Sequence, residues 1–280
     1  MTSARRTGLL AAPAFALLLF AYVWPMLGLG RMAFNETGDT GAMIEAMSLK
    51  SWHELFADPF VFELTWNSIK LSLVSTSLAL LLGYPVALFL FRTNSRWRGL
   101  FAVLAVAPML VSGVVRVFGW LAILSDKGLI NAMLQGLGLI SEPVRMIYNY
   151  TGVSIGLAES LLPYMILSLI AGFGRLDKTL DEAAASLGAP ASRVFLRVTL
   201  PLSLPAVILG FLLCFVLAMS AFITPKLLGG GRVLLLATEI YEHAVTSANW
   251  PAAATLSIYT LALLVLLLAF YGALTRRAHA

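Results

Sequence analysis

The chain has 280 residues, of which 60% are hydrophobic and only 12% are charged, and its mean hydropathy is +0.89. These values lie well outside the range of soluble domains and indicate an integral membrane protein. The only cysteine, Cys214, lies in an apolar run, which excludes a disulfide framework and a cysteine-based metal site. The net charge of +5 does not indicate nucleic-acid binding, because the basic residues stand at the ends of apolar runs instead of forming a patch.

Six apolar segments are long enough to cross a bilayer, which takes roughly 20 residues per helix. They predict an all-α membrane protein with six transmembrane helices. The first segment is too long for the apolar part of a signal peptide, so we expect a helix that Pro13 and Pro25 bend or loosen. We expect the second to be broken near its inner end by Gly83 and Pro85. The predicted spans are residues 8–30, about 67–91, 99–124, 151–173, 202–222 and about 250–274.

Between the first two spans, residues 31–66 are polar and mixed. Aromatic residues recur there as on an amphipathic helix, namely Trp52, Phe56, Phe60 and Phe62. This segment either lies along the outer membrane surface or meets a partner, or it is a packed external loop. Two later outer segments, residues 125–150 and 223–249, carry turn signals such as the three glycines at 229–231.

The stretch from Asp177 to Pro201 is polar and lies between two predicted spans. Thr179, followed three residues later by Glu182, forms a capping box that predicts a helix starting at Leu180. Gly188 is expected to end this helix, because glycine readily adopts positive φ. A polar segment enclosed in this way is either a surface offered to another protein or a connecting loop with amphipathic turns.

A second short helix is predicted in the same stretch. Pro190 suits its first position, and Arg193 and Arg197 fall four residues apart on one side of it. Pro201 is expected to end the stretch where the fifth span begins.

The distribution of lysine and arginine predicts that both termini are cytoplasmic. With the N-terminus inside, eleven of the nineteen basic residues fall on the inner side together with only three of the fourteen acidic ones, Asp177, Asp181 and Glu182. The inner side then carries a charge near +8, and the stretch 177–201 is cytoplasmic. The eleven are Arg5, Arg6, Arg92, Arg96, Arg98, Arg175, Lys178, Arg193, Arg197, Arg276 and Arg277.

Charged residues inside the spans are candidates for a solute path, because a charge at membrane depth costs about 2.5–3.5 kcal/mol on insertion scales. Glu159 lies eight residues into the fourth span, where it either meets a cationic solute or pairs with Arg116. Arg116 either takes part in the path or extends to the outer interface, and Trp120 either stacks on an amine or lies at that interface. Further polar candidates are Tyr164, Asn67 and Thr224.

The sequence contains no phosphate-binding loop of the form G-x-x-x-x-G-K-[ST] and no His/Cys/Glu cluster with metal-ligand spacing. No motif therefore indicates nucleotide hydrolysis, a metal or a cofactor in this chain. An alternative to a pump driven by a partner is a self-contained secondary transporter or channel, which would favour inverted repeats and more ionisable residues near mid-span. A membrane enzyme would favour clustered polar groups near one interface.

The spacing of residues 182–201 resembles a known motif. Residues 182–184 (EAA), Gly188 and residues 198–201 (VTLP) resemble the EAA motif, E-A-A-x3-G-x9-I-x-L-P, of the permease subunits of bacterial ABC importers. Every position matches except Val198, which stands where isoleucine is usual.

Other runs resemble the spermidine/putrescine branch of these permeases, which also handles opines and related small solutes. The runs are LGYP at 82–85, RVFGW at 116–120, GLIN at 128–131, FITP at 222–225, LLGGG at 227–231 and NWP at 249–251. The likeness covers most of residues 65–275 and is weakest in the first span and first outer loop.

The resemblance implies the permease of a type I ABC importer in the bacterial inner membrane, for a polyamine or an opine-like compound. It implies one permease domain over residues 1–280, with a core at 65–275. It also implies a second, non-identical permease subunit, two ATPase subunits that hold ATP and magnesium, and a periplasmic solute-binding protein. In that family the EAA helix is the coupling helix, which docks on the ATPase. The coupling residues implied here are Leu180, Asp181, Glu182, Ala183, Ala184, Leu187, Gly188, Arg193 and Pro201.

Overall fold

The computed structural model of the protein describes residues 3–38, 43–174 and 176–277. Arg175, counted above on the inner side, lies outside the described residues. The chain packs into two compact units, residues 1–63 with 238–280 and residues 64–237, which are described separately. The single permease domain inferred from the sequence stays a prediction.

Six helical segments of the described chain are long and apolar enough to cross a membrane, which confirms the predicted number. They are Ala12–Met32, Pro59–Arg92, Gly113–Gly136, Tyr150–Phe173, Ala191–Ser220 and Trp250–Gly272. Five of them overlap the predicted spans over most of their length. The third differs, for the reason given below.

The first unit contains both ends of the chain. The first helix is continuous through Pro13 and Pro25. The elements of this unit are α1 (Ser3–Met32), the antiparallel strands β1 (Glu36–Thr37) and β2 (Met43–Ile44), α2 (Lys50–Ala57), the start of α3 (Pro59–Arg92), and α13 (Trp250–Arg277).

The segment 31–66, which was predicted to be external, contacts α13 and the residue before it, and this favours the packed-loop alternative. Trp52 stacks on Phe56, and the Phe56 ring meets Tyr259 of α13 edge to face, with ring centroids 6.1 Å apart. Thr37 of β1 donates a hydrogen bond of 2.7 Å to the Asn249 side chain, just before α13. The aromatic spacing predicted a single amphipathic helix, which is wrong for Phe60 and Phe62 because both lie on α3. The two short strands had no sequence signal.

The second unit consists of helices joined by short turns. Its elements are α3 from residue 64 onward, α4 (Arg98–Val106), a 3₁₀ turn (Ala107–Leu110), α5 (Gly113–Leu124), α6 (Leu129–Gly136), α7 (Tyr150–Phe173), α8 (Lys178–Ser186), α9 (Ala191–Val194), a π turn (Phe195–Thr199), α10 (Leu200–Ser220) and α11 (Ile223–Leu228). Then α12 (Leu236–Tyr241) and a second π turn (Glu242–Thr246) lead to α13.

The second and third predicted spans were wrong in opposite ways. The second span was expected to break at Gly83 and Pro85, but α3 continues through both to Arg92. Gly83 permits close packing there, because an added Cβ would lie 3.2 Å from Met165 Cγ. The third span was expected to be continuous over 99–124, but the helix ends in the 3₁₀ turn that contains Pro108, and the chain is extended at Val111. Pro108 lacks the amide that would continue the helix.

The core of the second unit forms around α7 and α10. Gly172 of α7 has no room for a side chain, since an added Cβ would overlap Ala206 of α10. Gly210 of α10 lies in the same way against α7, where an added Cβ would be 3.1 Å from Met165 Sδ. Small residues at such crossings let helix backbones approach closely within a membrane.

The segment 125–150, which was predicted to be external, is held by the buried side chain of Asn131. Asn131 of α6 is fully buried and donates from Nδ2 to the carbonyls of Ser125, at 3.1 Å, and Val144, at 3.0 Å. Its Oδ1 accepts from the Val144 amide at 2.9 Å. This amide group closes the turn around Pro143 onto α6.

Candidate functional site

The helix α8 begins two residues earlier than the capping box predicted. Its N-cap is Asp177, whose Oδ1 accepts a 2.9 Å hydrogen bond from the Thr179 amide. The box of Thr179 and Glu182 is therefore wrong, because an aspartate two residues upstream already binds the free amide. The backbone amide of Thr179, and secondly its side chain, lower the pKa of Asp177 below its ordinary value of 3.8. The cap is thus intact above that value and is lost only as the pH falls through the lower folded pKa.

The helix ends as predicted at Gly188. Its φ is +81°, a left-handed conformation that costs glycine little. The Gly188 amide donates to the Ala185 carbonyl at 2.9 Å and the Ala189 amide donates to the Ala184 carbonyl at 3.2 Å. This pair of hydrogen bonds is a Schellman motif and satisfies the last carbonyls of the helix. Both ends of α8 are therefore set by short-range hydrogen bonds.

After Gly188 the chain does not break where it was expected to. Pro190 is the extended N-cap of α9 and not its first residue. The π turn then joins α9 to α10, and Pro201 lies inside the first turn of α10. Pro201 therefore does not end the stretch. π turns appear mostly as irregularities within longer helices, and this one ends two residues before Pro201, which lacks a backbone amide.

Most of α8 is exposed, and its two neighbouring acids face different surroundings. Leu187 is 89% exposed and Leu180 46%, and the side chains of Glu182 and Ala183 are exposed as well. The Asp181 carboxylate instead accepts hydrogen bonds from Arg92 at the end of α3 and from Thr199 in the π turn. The remaining predicted coupling residues, Ala184, Arg193 and Pro201, are half-buried, exposed and exposed respectively.

The charged candidates of the third and fourth spans meet each other. Arg116 Nη1 lies 3.6 Å from Glu159 Oε1, and Trp120 Nε1 donates to Glu159 Oε2 at 3.3 Å. Both charged side chains are about one-fifth exposed. At 3.6 Å the ion pair is longer than a hydrogen bond, so the carboxylate is held loosely. Pairing of Glu159 with Arg116 was one of the alternatives predicted from the sequence.

Thr224 lies beside Gly156 of α7, about one helical turn before Glu159, whereas Tyr164 lies on a different side of α7. Gly156, three residues before Glu159, permits this approach, because an added Cβ would lie 3.3 Å from Thr224 Cγ2. Tyr164 follows Glu159 by five residues, which places it about 140° around the helix. Within the described residues, neither Tyr164 nor Asn67 shares a hydrogen bond with Arg116, Trp120 or Glu159.

Several residues near α8, at the ends of α3 and α10, were not singled out from the sequence. Arg92 and Thr199 bind Asp181, and the Tyr84 hydroxyl lies 2.9 Å from Ser203 Oγ, joining α3 to α10. Arg92 was counted only as a topological charge. The signal that separates it from Arg96 and Arg98 is its place as the last residue of a long apolar helix.

Comparison with known proteins places the chain in a family. Residues 76–280 match the family model of the binding-protein-dependent transport system inner membrane component. The chain belongs to this family of permease subunits of ABC importers.

Two relatives are similar over nearly the whole chain. The spermidine/putrescine transport system permease protein PotB of Haemophilus influenzae is 35% identical over 257 residues, covering 92% of this chain and 90% of that one. PotB of Escherichia coli K12 is 33% identical, covering 93% and 94%. The branch recognised from the sequence is therefore confirmed.

Solved structures support the fold. A bacterial ABC transporter that imports the acidic polysaccharide alginate has a chain with a TM-score of 0.70, covering 98% of this chain and 96% of that one at 20% identity. A chain of the inward-facing methionine transporter MetNI has a TM-score of 0.60, covering 79% and 98% at 15% identity. The protein has the transmembrane fold of a type I ABC importer and is a multi-pass inner-membrane permease subunit, not an enzyme.

Proposed function

We propose that this permease subunit imports a polyamine such as spermidine or putrescine, and that α8 couples it to an ATPase partner. The substrate proposal rests on the two relatives that are described as spermidine/putrescine permeases. A self-contained secondary transporter or channel is no longer favoured, because the family works as one component of a binding-protein-dependent system.

The coupling role is supported by two features of α8. Both ends of the helix are capped, and most of its side chains are exposed. Leu187 is 89% exposed, a large apolar surface for a residue that follows a polar helix. Glu182 and Ala183 are exposed beside it. A docked helix has to be rigid if it is to transmit a difference between two states, and the caps at Asp177 and Gly188 supply that rigidity. The partner ATPase subunits would hold ATP and magnesium, and this chain would hold neither.

The remaining partners follow from the same role. A second permease subunit, which we expect to be a non-identical chain, would complete the pathway in the lipid bilayer, and a periplasmic binding protein would deliver the solute. Both termini and α8 would then be cytoplasmic.

The coupling role predicts that Leu187→Glu abolishes co-purification of the ATPase subunits with the permease. Burying a new charge at the docked surface would remove apolar contact and add a desolvation cost. Leu137→Glu, at a similarly exposed leucine of the outer segment, is the matched control and should retain the ATPase. Gly188→Trp and Glu182→Lys should also lose it. If all the α8 variants keep the ATPase and transport like the parent, α8 is not the docking element.

Glu159 is the proposed contact for the ammonium groups of the solute. Its carboxylate is loosely held, partly exposed and adjacent to the Trp120 ring, and a carboxylate beside an aromatic ring suits an alkylammonium. An ammonium group of the solute would displace the Arg116 guanidinium from the carboxylate oxygen atoms of Glu159. Thr224, which lies beside Gly156 of the helix that carries Glu159, would add a hydroxyl to the path, and Tyr164 and Asn67 would line other parts of it.

The Glu159 role predicts that Glu159→Gln lowers uptake of radiolabelled spermidine into proteoliposomes about tenfold or more. The loss follows from removal of a hydrogen bond to a charged group, worth about 1.5–3 kcal/mol. Glu142→Gln, in the exposed outer segment, is the control and should transport like the parent. Unchanged uptake by the Glu159 variant would remove this residue from the path, and absence of uptake by the parent would remove spermidine as the solute.

A further inference from the structure

The closed set of hydrogen bonds among Arg92, Asp181 and Thr199 joins α8 to two other helices. Arg92 Nη2 donates to Asp181 Oδ2 and to Thr199 Oγ1, the latter at 2.8 Å. The Thr199 hydroxyl donates to Asp181 Oδ1 at 3.0 Å. Each carboxylate oxygen therefore has its own donor, and the hydroxyl both accepts and donates. We refer to these three residues as the polar lock.

We propose that the polar lock makes α8 move as one body with the inner ends of α3 and α10, so that Arg92, Asp181 and Thr199 are positioning residues for energy coupling. This inference rests on the proposed role of α8 as the docking helix. It also gives Asp181 a different role, since the family resemblance had placed this residue among the coupling residues of the docked helix.

The exposure of the lock argues that its purpose is geometry and not stability. The side chains of Arg92 and Asp181 are 42% and 30% exposed, and ion pairs at such positions contribute little to folding. Thr199, in contrast, is buried, so the hydroxyl that bridges both charges has a fixed position. Because the Thr199 hydroxyl is fixed and binds both charged groups, it orients the Arg92 guanidinium and the Asp181 carboxylate. A surface ion pair without such a third group leaves both side chains free to reorient.

The helices on the far side of the lock are themselves joined. Tyr84 of α3 lies within hydrogen-bond distance of Ser203 of α10, and its ring meets Phe173 and Phe195 edge to face. Displacement of α8 alone would break the hydrogen bonds of the lock, whereas displacement together with α3 and α10 would keep them. The second course requires no bond to break, so a push on α8 is passed on to the two membrane helices.

Glu182 and Asp181 thus divide two tasks between adjacent positions. Asp181 binds inward to the lock, and Glu182 stays exposed toward solvent. An open groove of about 400 Å³ lies beside the polar lock and is lined by Arg92, Asp181, Glu182 and small apolar residues. A partner could therefore reach Glu182 while Asp181 stays bound in the lock.

Spin labels at Ser186→Cys and Leu196→Cys test whether α8 and the π turn move together in the complex with its ATPase and second permease. Both positions are exposed, and the native Cys214 is fully buried. If the polar lock holds, the distance between the two spin labels should have a single value that is the same with and without ATP. In Asp181→Asn and Thr199→Val we expect a broadened distance that shifts on ATP addition. A shift in the parent itself would overturn the proposal.

Spermidine uptake per ATP hydrolysed is the second measurement on the same complexes. We expect Asp181→Asn and Thr199→Val to retain the ATPase but to lower this ratio at least about fivefold, within the usual range of coupling energies. Thr199→Ser keeps the hydroxyl and should restore the ratio, and Arg96→Gln, outside the lock, should match the parent. A parent-like ratio in both lock variants contradicts the lock and leaves docking intact. Loss of the ATPase from the lock variants would instead assign Asp181 to docking and also overturn the proposal.

Discussion

Single side chains with several hydrogen bonds decide how the connecting segments of this permease are placed. Asp177, Asp181 and Asn131 each do so through an oxygen atom that accepts from the backbone or from a neighbouring side chain. Only Asp177 acts locally, within two residues of its partner. Asp181 and Asn131 bind residues at least 13 positions away in at least one hydrogen bond, so the spacing of residues in the sequence does not reveal those partners.

At this scale we predict that Asn131→Ala destabilises the protein. The change empties the buried position of Asn131 and removes three part-buried hydrogen bonds to Ser125 and Val144, each worth about 0.5–1.5 kcal/mol. Thermal unfolding of the purified permease measures the effect as a lower midpoint. Gln135→Ala, one turn further along α6 and exposed, should leave the midpoint nearly unchanged. Equal midpoints for the two variants would contradict the role given to Asn131.

Helix contacts in the second unit depend on small residues where two helices cross. Gly83, Gly172 and Gly210 each face a side chain of another helix. An added Cβ at any of them would come within 3.2 Å of that side chain. Glycine in a predicted span was read as a weak point of the helix, as at Gly83. Packing reverses that interpretation, because the neighbouring helix stabilises α3 and the lack of a side chain allows the contact.

At the scale of helices we predict that Gly172→Ala weakens the packing of α7 on α10. The added methyl would overlap Ala206, and overpacking a core typically costs about 1–3 kcal/mol. The same thermal measurement should show a lower midpoint. Gly119→Ala in α5 is matched to it, since that position has open space around an added Cβ, and it should be neutral or slightly stabilising. A stabilised Gly172→Ala variant would show that the two helices do not approach so closely.

The orientation of the whole chain is predicted from charge, and the fold itself is compatible with either direction. The eleven basic residues that are predicted to lie on the inner side include Arg92, which also binds Asp181 of α8. Arg92 therefore contributes both to the charge pattern that predicts the orientation and to the hydrogen bond that holds α8. Both uses require Arg92 to lie beyond the apolar part of α3, at the same membrane surface as α8.

We predict that Ser186→Cys reacts with a membrane-impermeant thiol reagent only in inside-out vesicles, and that Leu137→Cys reacts only in right-side-out vesicles. Both side chains are exposed, one on α8 and the other beyond α6. The native Cys214 is fully buried and serves as an internal blank. Reaction of both positions from the same side would contradict the predicted topology.

The membrane class, the number of spans, the end of α8 at Gly188 and the family follow from residues that act over short distances or through composition. Apolar length determines spanning, and positive φ at one glycine determines a helix end. Tertiary structure alone decided that Glu159 meets Arg116 and Trp120, that Asp181 faces Arg92 and Thr199, and that Gly83 continues a helix. These outcomes depend on which helices become neighbours, and contacts between residues far apart in the chain form only when the helices pack.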